Sequence, residues 1–178
     1  MRKILYYSLL VMALGFFSCE EHPKVVEQKK PRIFPEYSEA LDEIIRSKDG
    51  VIRGVDLNSK ADVITKTETK QPSEVAHDYL YFEYTIDSIT NYSVAYNLQK
   101  DSLDEVEVQI NCNDLDLSSH LFNDLKTYYE KKLPNPTEDK GFVVYNCFEG
   151  QRKPFVVSLT DNSTPNMGII NLVIYKDK

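Results

Sequence analysis

Apolar and polar side chains alternate with period two in the second half of the chain. Tyr92, Val94, Tyr96 and Leu98 alternate with Ser93, Ala95 and Asn97. Val106, Val108, Ile110 and Cys112 alternate in the same way with Glu105, Glu107 and Gln109. In a strand, successive side chains point to opposite faces, so this spacing predicts a sheet with one covered and one wet face. Strand-like segments are expected at His77–Asp87, Asn91–Leu98, Leu103–Asn111, Phe142–Phe148, Phe155–Thr160 and Ile169–Tyr175. The polar stretch Gln99-Lys100-Asp101-Ser102 has hairpin length.

Between the strands the period lengthens to that of a helix. Leu117, Leu121, Phe122, Leu125, Tyr128, Tyr129 and Leu133 predict a long helix over about Ser118–Lys132, stopped by Pro134 and Pro136. Ala40, Leu41, Ile44 and Ile45 make the stripe of an earlier helix, Ser38–Arg46, with Ser38 as its N-cap. Gly50 ends it, and Val51–Val55 reads as a short strand. Ser59, with Asp62 three residues on, predicts the cap of a short helix ending near Thr67. The elements add up to an α+β domain over residues 37–178. A first helix is followed by two helix-plus-three-strand units, which form an antiparallel sheet with the helices packed on one face.

The first eighteen residues follow a different logic. Arg2 and Lys3 precede an apolar run, Ile4–Phe17, that is shorter than the roughly 20 residues of a membrane-spanning helix. Ser18-Cys19 at its end resembles the bacterial lipobox, in which the cysteine is acylated and becomes the mature N-terminus. This resemblance implies a signal peptide at 1–18, a lipid on Cys19 and attachment to a membrane, since two or more acyl chains anchor stably. An ordinary cleaved signal and an uncleaved anchor are the alternatives. Glu20-Glu21 resembles the acidic stretch that sends lipoproteins of the Bacteroidota to the surface of the outer membrane, so the expected location is the outer membrane, facing either the surface or the periplasm. Residues 19–36, polar and carrying Pro23, Pro31 and Pro35, read as a flexible tether.

Charge narrows the partners. Removing Arg2 and Lys3 with the leader takes the 21 basic residues to 19 against 28 acidic ones, a mature net charge of −9. That disfavours nucleic acid, whose binding rests on neutralising phosphates with Lys and Arg. Cys112 and Cys147 remain in an exported compartment and are a candidate disulfide. His22, His77 and His120 are scattered and no Cys-x-x-Cys occurs, so neither a metal site nor a cofactor is expected.

No catalytic constellation emerges. Glu105 and Glu107 share one side of a strand, where solvated carboxylates are ordinary. Asn111, Asn113, Asp114 and Asp116 are oxygen-rich, but helix capping accounts for them better than a calcium loop does. Tyr79 and Tyr81 alternate onto the face opposite Leu80, Phe82, Tyr84 and Ile86. Tyrosines on an exposed face suit protein contacts, and with Glu105 and Glu107 they form the expected partner-binding face.

Arg53-Gly54-Val55-Asp56-Leu57-Asn58-Ser59 followed by Val63, and Leu133-Pro134-Asn135-Pro136 after the long helix, resemble one structural group. It comprises small helix-then-three-strand lipoproteins, typified by the accessory lipoprotein of the outer-membrane barrel-assembly machine, and the tandem-repeat beta-lactamase inhibitor protein. The chain also resembles Bacteroidota lipoproteins of similar size. The resemblance implies a non-catalytic module that grips another protein. Two further readings stay open: an immunity lipoprotein that neutralises a toxic effector, and an enzyme or small-ligand carrier acting on envelope polymers.

Overall fold

The computed structural model describes residues 31–133, 135–140, 142–147 and 154–177, with the side chain of Cys147 excepted. In chain order the elements are α1 (Glu39–Ile45), α2 (Ala61–Thr67), β1 (Glu74–Val75), β2 (Tyr79–Thr85), β3 (Thr90–Gln99), β4 (Ser102–Cys112), α3 (Leu115–Lys132), β5 (Thr137–Asp139), β6 (Phe142–Cys147), β7 (Phe155–Asp161) and β8 (Gly168–Lys176). The strands form one antiparallel sheet in the order β1-β2-β3-β4-β8-β7-β6-β5. The chain is therefore α+β.

The expected alternation sets the faces of the sheet. Phe82, Val94, Tyr96, Val106, Val108, Ile110, Leu159, Leu172 and Ile174 are buried in one core, together with Leu41, Ile44 and Ile45 of α1, Ile64 of α2 and Leu121, Leu125 and Tyr129 of α3. The helices thus share the inward face. Between β3 and β4, Lys100 and Asp101 both adopt positive φ (52° and 60°), the geometry of a two-residue turn whose twist matches the flanking strands. The central joint is the pairing of β4 with β8, from Glu105–Tyr175 to Cys112–Gly168. Gly168 lies under α3, where an added Cβ would stand 2.2 Å from Ser118 Cβ, so the bare backbone lets the helix sit close.

Several expectations need correction. The folded unit starts at Arg32 rather than at residue 37. Arg32, expected in the tether, pairs with Asp42 at 2.8 Å, and Phe34 is buried against Tyr128 with ring centroids 5.3 Å apart. Val51–Val55 is a tight turn, not a strand: Ile52 bridges Val55, and Arg53 and Gly54 both have positive φ (54° and 78°). The cap of α2 is Lys60, without a side-chain hydrogen bond, because Asn58 and Ser59 pair their backbones with Leu103 instead. Helix α3 begins earlier than expected, with Asp114 capping Leu117 N at 3.0 Å. Two short edge strands, β1 and β5, were not anticipated, so each helix-led unit contributes four strands rather than three. The signal peptide and Cys19 lie outside the described residues.

Candidate functional site: the outward face of the sheet

Backbone register brings the four expected face residues together. Tyr79, Asn97, Glu105 and Tyr175 are successive partners across β2, β3, β4 and β8, and Tyr81, Ala95, Glu107 and Val173 form the adjacent row. The tyrosines and Glu105 are half-buried and Glu107 is exposed, so the tyrosines are less open than the alternation alone suggested. Asn97 Nδ2 donates to Glu105 Oε1 at 2.9 Å and to Glu107 Oε1 at 3.0 Å, tying the two carboxylates together. Partial burial, and then the neighbouring Glu105 carboxylate, push the Glu107 carboxyl above its ordinary value, while Asn97 pulls it down. At the sheet edge, the Glu74 carboxylate beside Tyr79 raises that phenol.

The same face changes character across β4. By register, Val173 and Ile169 of β8, Val156 of β7 and Val144 and Phe142 of β6 stand on the outward side; Phe142 is 43% exposed, Val173, Ile169 and Val144 are half-buried, and Val156 and its neighbour Ser158 are buried. This apolar half escaped the sequence reading because FVVSL and GIINLVIY are apolar at nearly every position, which hides the period-two signal. Among the outward positions of β2, β3, β4, β6, β7 and β8 stand Glu83, Glu105 and Glu107, and no lysine or arginine, although the chain carries 21 such residues.

A second constellation, which no sequence motif announced, lies on the inward side. The turn at Arg53 aims its guanidinium at Glu68, the C-cap of α2, with Nε to Oε1 and Nη2 to Oε2 both at 2.8 Å. Arg53 Nη1 also donates to the carbonyls of Glu43 and Ile44, each at 2.9 Å, and to Tyr92 Oη at 3.1 Å. Glu68 accepts further from Arg46 at 2.7 Å, Tyr84 Oη at 2.7 Å and Tyr96 Oη. The guanidinium also stacks on Tyr84, 4.7 Å from its centroid. Burial alone would raise the Glu68 carboxyl. The hydrogen bonds and charge of Arg53, followed by the Tyr96 and Tyr84 hydroxyls, outweigh burial and lower it to about 2. With its acceptor positions filled in this way, the carboxylate is a clamp holding α1 and α2 to β2 and β3, not a group poised for proton transfer.

Cys112 is a free, buried thiol beside Thr90 Oγ1 at 3.5 Å. The candidate disulfide with Cys147 does not form. Cys112 stands level with Gly168, whereas Cys147 pairs with Phe155, which stands level with Lys176. The two cysteines are therefore three strands apart, about 14 Å, and about 26 Å apart along the strands, far beyond the reach of a disulfide. Among the described residues no group of three or more His, Cys, Asp or Glu side chains is placed to hold a metal ion. Cys19, the expected lipidation site, is outside the described residues. No protein-family model, curated protein or solved structure matches the chain.

Proposed function

We propose that the protein is an exported lipoprotein, acylated at Cys19 and held at the outer membrane, whose domain recruits or inhibits a protein partner through the outward face of its sheet. The observation that carries this reading is the division of labour between the faces. The helices and the core occupy one side, and the other presents Tyr79, Tyr81, Glu105 and Glu107 beside an apolar half. Broad sheet surfaces carrying tyrosine next to apolar side chains suit protein contacts. Among the described residues no helix is long and apolar enough to cross a membrane.

A second reading has a specific observation behind it. A face with four outward glutamates, Glu74, Glu83, Glu105 and Glu107, and no lysine or arginine at its described outward positions suits an immunity lipoprotein that covers a cationic effector. A toxin gene found beside this one would favour it.

The test is photo-cross-linking in the native host from Ser93 and Thr160, neutral outward positions in the polar and apolar halves, with exposed Ser119 of α3 as control. A discrete protein adduct from the sheet positions and none from Ser119 supports the reading. Indistinguishable yields from all three positions overturn it.

A further inference from the structure

Within the partner-binding reading just proposed, on which this inference rests, we infer that the face docks a protein segment that inserts an arginine or lysine side chain over Ala95, between Tyr81 and Glu107, and lays apolar side chains against Val173 and Val144. Three features of the face converge on that chemistry. The row Tyr81–Ala95–Glu107 puts the smallest side chain in the middle, flanked by an aromatic ring and a carboxylate. At the usual strand spacing the flanking Cα atoms stand roughly 10 Å apart, so the methyl of Ala95 leaves a shallow hollow between taller walls. A guanidinium suits such walls, since its flat face stacks on an aromatic ring while its edge donates to a carboxylate.

The charge of the face points the same way. Glu105 and Glu107 sit two residues apart on β4, and the hydrogen-bond donor they share is the neutral Asn97. Elsewhere on this protein carboxylates find cations: Glu68 has Arg53 and Arg46, Asp42 has Arg32, and Asp104 has Lys176. Among the described residues no lysine or arginine pairs with Glu105 or Glu107. Two adjacent carboxylates without a counter-charge repel each other, and a cation from a partner relieves that repulsion while gaining attraction from both. The apolar strip beginning at Val173 lies one strand from Glu107, so one segment spans both.

The partner's chemistry is testable without knowing its identity. The full chain, extracted from membranes in detergent, is titrated by NMR with two short peptides of alternating valine and threonine. One carries a central arginine and the other its neutral isostere citrulline. The arginine peptide is expected to shift the signals of Tyr81, Ala95 and Val173 and to bind at least tenfold more tightly than the citrulline peptide. The Glu105→Gln/Glu107→Gln double variant is expected to abolish that difference and to reduce the cross-linked adduct from Ser93 at least tenfold. Both substitutions lie on the outward face, and an unchanged denaturation midpoint checks the fold. Equal binding of the two peptides, or an adduct that survives the double variant at full yield, overturns the cationic docking while leaving the partner-binding reading in place. Loss of the adduct from every sheet position in the unmodified protein removes both.

Discussion

The guanidinium of Arg53 and the carboxylate of Glu68 meet fork to fork, two contacts of 2.8 Å, with neither side chain reaching solvent. Removing one member leaves the other charge buried without its main partner, which costs about 3–5 kcal/mol. Arg53→Ala and Glu68→Gln should each lose stability on that order in urea denaturation. Replacing both residues with apolar side chains of similar volume should recover part of the loss, because the desolvation of both charges then disappears as well.

Glu68 also makes stability depend on pH. Its carboxyl is lowered from the ordinary 4.5 to about 2, so the folded state holds the proton less tightly than the unfolded chain does. The resulting stabilisation is fully present above the unfolded value. It declines as pH falls below about 4.5 and is gone below about 2, with a total on the order of 3 kcal/mol. Denaturation midpoints compared between pH 6 and pH 3 should fall more steeply for the native protein than for Glu68→Gln.

Gly168 is a packing requirement rather than a turn residue. A Cβ there would meet Ser118 Cβ and Oγ at 2.2 Å, forcing α3 away from β8. Gly168→Ala should destabilise by about 1–3 kcal/mol. Ser118→Gly in the same chain should return part of that loss in a thermal melt, despite the cost of a glycine inside a helix.

Cys112 should behave as an unreactive thiol. It is buried and unbridged, so a thiol reagent should modify it only after denaturation. Intact mass should show no loss of two hydrogens from a Cys112–Cys147 bridge, and reductant should leave the melting temperature unchanged.

Cys19 carries the prediction about location. Cys19→Ala expressed in the native host should move from the membrane to the soluble fraction, and metabolic labelling with a palmitate analogue should be lost with it. Fractionation with membranes in the substituted protein would remove the tether from the proposal.

The legible parts of the sequence were those written in local spacing. Tyr92, Val94 and Tyr96 on β3 and Val106, Val108 and Ile110 on β4 are buried as their alternation required, and Leu121, Leu125 and Tyr129 line α3 at helical spacing. Tyr79, Tyr81, Glu105 and Glu107 were placed on one face, and they do share it, in adjacent rows. Arg53 was read as part of a strand, because its partner lies fifteen residues away at the end of another element and nothing near Arg53 signals a buried carboxylate. Ser59 looked like a cap, but its backbone is engaged by Leu103, whose proximity depends on where the β3–β4 hairpin lands. Phe34 and Arg32 read as tether because two prolines surround them, yet α1 and α3 offer an apolar site and a carboxylate that hold them.

By itself, then, the sequence determined the longer strands and helices and, for β3, β4 and α3, which side faces the core, because periodicity is a property of neighbours along the chain. Only the tertiary structure decided that β4 pairs with β8, that Cys112 and Cys147 lie three strands apart and far from each other along the strands, that Arg53 clamps Glu68, and that an acidic, lysine- and arginine-free half-face adjoins an apolar one. Each of these depends on which distant segments come together, and many pairings bury similar apolar area. The choice among them rests on the fit of side chains across the core, such as bare Gly168 beneath Ser118, which no local window of the chain contains.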